Sequence, residues 1–131
     1  MSSGSSRRAI LPVCLTVAAL AASVATPASA ATTPRDPSVT CNVKRDGRKL
    51  GATYVTSLRA TGLACPKAKS VVKAFNACRR ANGGAGGSCT ASVQGFRCSE
   101  RRGPAIPTQY SSSVTCKSGA RAVRFVYTQF T

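Results

Sequence analysis

Apolar residues fill positions 9–24 without any period, then recur at every second position, then at helical spacing, then at every second position again. Val39, Cys41 and Val43 share one face of a strand, and Arg45-Asp46-Gly47-Arg48 supplies the Asp-Gly signature of a tight hairpin. The returning strand is predicted over residues 49–60, with Tyr54, Thr56 and Leu58 on one side and Val55 on the other. Ala68, Val71, Val72, Phe75 and Cys78 then form one helical stripe, opposite Lys69, Lys73, Asn76 and Arg80. Pro66 suits the first helical turn and Asn82-Gly83 a left-handed stop. The glycine run at residues 83–87 reads as a linker, because a phosphate-binding loop needs a closing Lys-Ser/Thr and a following helix. Residues 91–99 predict a strand with Gly95 as a bulge, ended by Glu100-Arg101-Arg102-Gly103-Pro104. Residues 111–117 and 121–130 predict two strands joined at Ser118-Gly119, with Val123, Phe125 and Tyr127 on one face. Val126, Thr128 and Phe130 take the other face, so that strand is expected to be covered on both sides. The order β-β-α-β-β-β predicts a small disulfide-stapled α+β domain with one helix packed on a mostly antiparallel sheet.

The aperiodic apolar run has a different meaning. Arg7-Arg8 precede it and Ala28-Ser29-Ala30 follow it, which is the layout of a cleavable export signal over residues 1–30. A Sec signal is preferred to a twin-arginine one, since a disulfide protein gains from oxidation outside the cell. The run is too short and too rich in Ala, Ser and Thr for a membrane anchor, so none is expected. Residues 31–38, with Pro34 and Pro37, read as a flexible lead, and residues 39–131 as a single domain.

Cysteine usage fits that address. Of seven cysteines, Cys14 lies in the signal and leaves with it. Cys41, Cys65, Cys78, Cys89, Cys98 and Cys116 contain no CxxC pair, and the chain has no His to complete a metal shell. Disulfides are therefore expected in place of a metal centre. Fifteen connectivities are open in principle, and adjacency with strand parity favours Cys41 to Cys65, Cys78 to Cys89 and Cys98 to Cys116.

Charge narrows the function. The whole chain carries 19 Lys+Arg against 3 Asp+Glu, a formal charge of +16. Without His, and with only Asp36, Asp46 and Glu100 as acids, it has no Ser-His-Asp triad, Cys-His dyad or ordinary paired-carboxylate site. No catalytic, cofactor-binding or metal-ligating residue is assigned, and the chain reads as non-enzymatic. Its positive potential favours an anionic partner, such as an acidic envelope polymer. Lys67 and Lys69 oppose the helix dipole where anions are welcome, so Lys67, Lys69 and Lys73 are the candidate anion-binding residues. Nucleic acid has no motif behind it, since only Tyr54, Tyr110 and Tyr127 offer stacking surfaces and none is interleaved with basic residues in a known pattern.

Val39-Thr40-Cys41, Tyr54-x-Thr56, the run Gly62-Leu63-Ala64-Cys65-Pro66-Lys67-Ala68 leading into Val71-Val72-Lys73-Ala74-Phe75, Gly95-Phe96-Arg97-Cys98 and Val114-Thr115-Cys116 form one framework. With these motifs the chain resembles a loosely defined group of small exported actinobacterial proteins with no assigned function. The likeness spans most of residues 39–130 and implies a fold and an address, with no catalytic motif. Phe96 stands where such proteins often carry Trp. Cys78 with Cys89 is an additional pair, which supports joining those two. The expectation is a secreted basic protein, with cell-wall association as an option, that associates electrostatically with an acidic envelope or extracellular component. The alternative is a secreted inhibitor or toxin-like protein acting on another protein through an exposed loop, either residues 83–88 or 101–109.

Overall fold

The computed structural model describes residues 37–131; the expected signal peptide over residues 1–30, Cys14 and most of the expected lead over residues 31–38 lie outside the described residues. Five strands and one long helix follow in the expected order: β1 (Ser38–Thr40), β2 (Tyr54–Thr61), α1 (Cys65–Ala81), β3 (Arg97–Arg102), β4 (Gln109–Ser118) and β5 (Arg121–Phe130). The sheet order is β1-β2-β5-β4-β3, and every neighbouring pair is antiparallel. The last strand thus occupies the middle.

The helical stripe packs on one face of this sheet. Ala68, Val71, Val72 and Phe75 meet Leu58 and Ala60 of β2, Val114 and Cys116 of β4, and Val123, Phe125 and Tyr127 of β5 in one buried cluster. Phe75 and Phe125 pack edge to face with centroids 5.6 Å apart. Such side chains contribute about 1.5–3 kcal/mol each on full burial. Pro66 sits in the first turn and Asn82 ends the helix, as the sequence predicts.

All three expected disulfides form. Cys41–Cys65 ties the end of β1 to the start of the helix, Cys78–Cys89 spans the glycine run, and Cys98–Cys116 joins directly opposed residues of β3 and β4.

Several local expectations give way to tertiary packing. Asp46-Gly47 does not close a tight hairpin; residues 41–53 make a longer excursion with a 3-10 turn at Gly47–Lys49. This excursion delivers Cys41, Val43, Leu50 and Ala52 to the core. Gly47 is needed for a close approach, since a Cβ there would lie 2.5 Å from the Val55 carbonyl oxygen. The strand starts at Tyr54, and an irregularity between Val55 and Ser57 lets Val55 join Leu58 on the buried face.

On the helix, Asn76 is buried and not solvated: its amide donates to the Leu50 carbonyl at 2.9 Å. Gly95 makes a turn, not a bulge. Gln94 (φ 49°) and Gly95 (φ 79°) both adopt positive φ, and Val93 and Phe96 exchange backbone hydrogen bonds across them. The strand consequently begins at Arg97 and runs through Arg102. The outer side of β5 is only partly covered, with Thr128 buried, Val126 half-buried, and Arg124 and Phe130 exposed.

Candidate anion-binding sheet face

Strand parity builds the face of the sheet that α1 does not cover. With Leu58, Val114 and Phe125 turned to the core, their neighbours turn outward. Register then aligns them in rows: Thr40, Arg59, Arg124, Thr115 and Ser99 in one, Ser57, Val126, Ser113 and Arg101 in the next. Thr61, Ala122, Lys117 and Arg97 form a third. Arg59, Arg97, Arg101, Lys117 and Arg124 are all exposed. A shallow trough of about 460 Å³ runs over Arg59, Arg124, Ser57, Ser113 and Thr115.

The electrostatics of this face are one-sided. Arg59 and Arg124 oppose each other directly across β2 and β5, a like-charge pairing that is unfavourable by itself. The two carboxylates among the described residues are committed elsewhere. Asp46 holds Lys69 at 2.6 Å, and that contact keeps its carboxyl below the usual range. Glu100 turns toward the helix side, where it accepts from Arg102 Nε at 3.1 Å, from Ser112 Oγ at 2.8 Å and from the Tyr127 hydroxyl. Hydroxyl-bearing side chains lie between the cations and can donate to the oxygens of a bound anion.

The lysines singled out in the sequence lie on the other side of the molecule, along α1. Lys69 is bonded to Asp46, Lys67 Nζ donates to Gln94 Oε1 at 2.9 Å, and Lys73 is exposed. Two of the three therefore have partners within the chain. The sheet face offers more uncompensated charge in one plane.

Sequence reasoning also missed an inner polar network. Arg79, on the buried side of α1, is wholly buried and donates to Gln129 Oε1 (2.7 Å), the Ala85 carbonyl (2.6 Å), the Tyr110 hydroxyl (3.0 Å) and Asn76 Oδ1 (3.3 Å). Its guanidinium carbon lies 4.8 Å from the centre of the Tyr127 ring, whose hydroxyl reaches Glu100. Arg102 Nη1 adds a bond to the Gly86 carbonyl at 2.8 Å. The glycine run is thereby pinned from below, and residues 84–86 form a short 3-10 turn in place of a free linker. At Gly87 a Cβ would lie 2.1 Å from the Arg79 carbonyl oxygen, so the chain turns there only without a side chain.

Glu100 makes this network sensitive to acid. Burial pulls its pKa upward, but the bonds from Tyr127, Arg102 and Ser112 outweigh that and hold the carboxyl below its usual value. Burial, and then the bond to Glu100, push the Tyr127 phenol well above its own. Because the folded carboxyl has the lower pKa, its contribution to stability is complete above about pH 4.3 and is lost as pH falls through the folded value. Urea midpoints measured from pH 6 down to 2 should fall below about pH 4, with a shallower fall for Glu100→Gln. The same substitution should cost about 1–3 kcal/mol at pH 7, since it weakens hydrogen bonds made to a charged acceptor.

Together these features define a small three-disulfide α+β domain with one cationic, hydroxyl-rich sheet face. The chain matches no known protein family, no curated protein and no solved structure, so its own geometry carries the functional argument. Among the described residues, no helix is long and apolar enough to cross a membrane, and no cluster of His, Cys, Asp and Glu could hold a metal ion.

Proposed function

We propose that the protein is an exported, non-enzymatic binding domain that holds an acidic polymer of the cell envelope or its surroundings on the open face of its sheet. The observation that carries this reading is the opposed pair Arg59 and Arg124, flanked by Arg97, Arg101 and Lys117, with no acidic side chain among the described residues turned toward them. Three disulfides suit an oxidising compartment. The export signal read from residues 1–30 supplies the route, and the cationic surface favours anions along the way.

Inorganic polyphosphate is a suitable probe because it offers charge without other chemistry. The oxidised protein should bind it with an affinity that collapses as salt rises to about 0.5 M, since exposed charges are then strongly screened. Arg59→Gln with Arg124→Gln should weaken binding about tenfold or more. Arg45→Gln with Lys49→Gln, which removes the same net charge from the 41–53 excursion, should change it little. Equal losses in the two double variants would reduce the effect to overall charge and sink the assignment of the face.

A second reading, a protein inhibitor acting through an exposed loop, has one specific feature in its favour. Ile106 is 55% exposed on a turn closed by reciprocal backbone bonds with Gln109, and the turn is braced by Thr131 on the Pro107 carbonyl. Salt-resistant, stoichiometric capture of a protein partner, lost in Ile106→Ser, would identify that activity.

A further inference from the structure

The distribution of the seven aromatic residues is uneven in a way that bears on the ligand. Phe75, Phe96, Tyr110, Phe125 and Tyr127 are buried, and Arg121, Arg102 and Arg79 already lie over the rings of Phe96, Tyr110 and Tyr127. The other two, Tyr54 and Phe130, are neighbours on the open sheet face. Tyr54 is half-buried and Phe130 is 51% exposed; their rings meet edge to face with centroids 5.9 Å apart. They line a groove of about 580 Å³ that also contains Thr56, Lys44 and Arg48.

This groove lies further along the sheet from the basic rows, with Lys44 and Arg48 as its own cations. Tyr54 pairs with Thr128, two residues along β5 from Val126, and Arg124 lies two further. At about 3.4 Å per residue, Phe130 and Arg124 stand roughly 20 Å apart on one strand. A chain lying along β5 would therefore meet rings at one end and guanidinium groups at the other. Exposed aromatic platforms beside a cationic track are the combination that holds unpaired bases, because every base has a flat face and every linkage a negative charge.

Resting on the polyanion reading above, we infer that the polymer held on this face is a single-stranded nucleic acid, with a base stacked at Tyr54 and Phe130 and its phosphates along Arg59, Arg101 and Arg124. The recognition is of base faces and phosphates, without a base-edge code.

Three probes separate the terms: a short oligothymidylate, an abasic deoxyribose-phosphate strand of the same length, and inorganic polyphosphate. The oligothymidylate should bind about tenfold tighter than the abasic strand. Phe130→Leu, which keeps an apolar side chain but removes the ring, should bring it down to the abasic level without changing the other two. Phe130→Trp should keep the preference for bases. Equal affinity for the strands with and without bases, or an equal loss of all three probes in Phe130→Leu, overturns the inference. If polyphosphate and the abasic strand bind as tightly as the oligothymidylate, only the nucleic-acid assignment fails. If none of the three binds, the polyanion reading fails as well.

Discussion

Reduction of the three disulfides at neutral pH should unfold the domain completely, with loss of near-ultraviolet dichroism from the buried Tyr110 and Tyr127. The bridges close sequence separations of 24, 11 and 18 residues. Restricting loops of these lengths in the unfolded chain contributes about 3 kcal/mol each, or about 9 kcal/mol together, against a net stability of about 5–15 kcal/mol for a typical domain. Cys41–Cys65 closes the longest loop, so Cys41→Ala with Cys65→Ala should be the most costly single-bridge variant, at about 3–4 kcal/mol. It also frees the excursion that carries Val43 and Leu50 into the core. A reduced protein that kept its tyrosine signal would show that the apolar cluster suffices alone.

The second large effect belongs to Arg79. Arg79→Ala should cost about 3–5 kcal/mol, measured as a fall in urea midpoint with the disulfides intact, whereas Arg80→Ala one residue later should lie within about 0.5 kcal/mol of the parent. The difference is geometric. Arg80 is exposed, while Arg79 reaches five groups that would lose their partner at once: Asn76, Ala85, Tyr110, Gln129 and the ring of Tyr127. Removing the guanidinium leaves buried acceptors under-bonded and opens a cavity beneath the glycine turn. Arg79→Lys should recover only part of the loss, because an ammonium cannot reproduce the planar fork that addresses Gln129 and Ala85 together. Protease cleavage within residues 83–88 should rise in parallel. Indistinguishable midpoints for the Arg79 and Arg80 variants would contradict this account.

Much of the framework was legible because it is local. The stripe from Ala68 to Phe75 needs only helical period, the last two strands need only alternation and a short turn, and each cysteine bridges to its neighbour in sequence. What stayed hidden depends on residues far apart along the chain. Arg79-Arg80 looks like a solvated charge pair, and nothing nearby announces Tyr110 and Gln129, 31 and 50 residues away, as partners. Asp46-Gly47 carries a hairpin signal, yet burial of Val43 and Leu50 on either side outweighs it.

The candidate face was less visible still. Arg59, Arg101, Lys117 and Arg124 come from four different strands, and only the register sets them side by side. Tyr54 offers a stacking surface that the sequence alone shows, whereas Phe130 joins it only through a contact that spans nearly the whole described domain. Lys67 and Lys69 stand out in the sequence because they adjoin a recognisable helix start, and the structure gives both a partner.

The central position of β5 has a consequence for biosynthesis. Until residues 121–130 arrive, β2 has no neighbour on its inner edge and β4 has only β3, so a nascent chain holds two separated fragments of sheet and an uncovered helix. Without β5 the two fragments share no hydrogen-bonded edge, so the sheet closes only when that strand enters between them. Products truncated before this strand present the open edges of β2 and β4 to proteases.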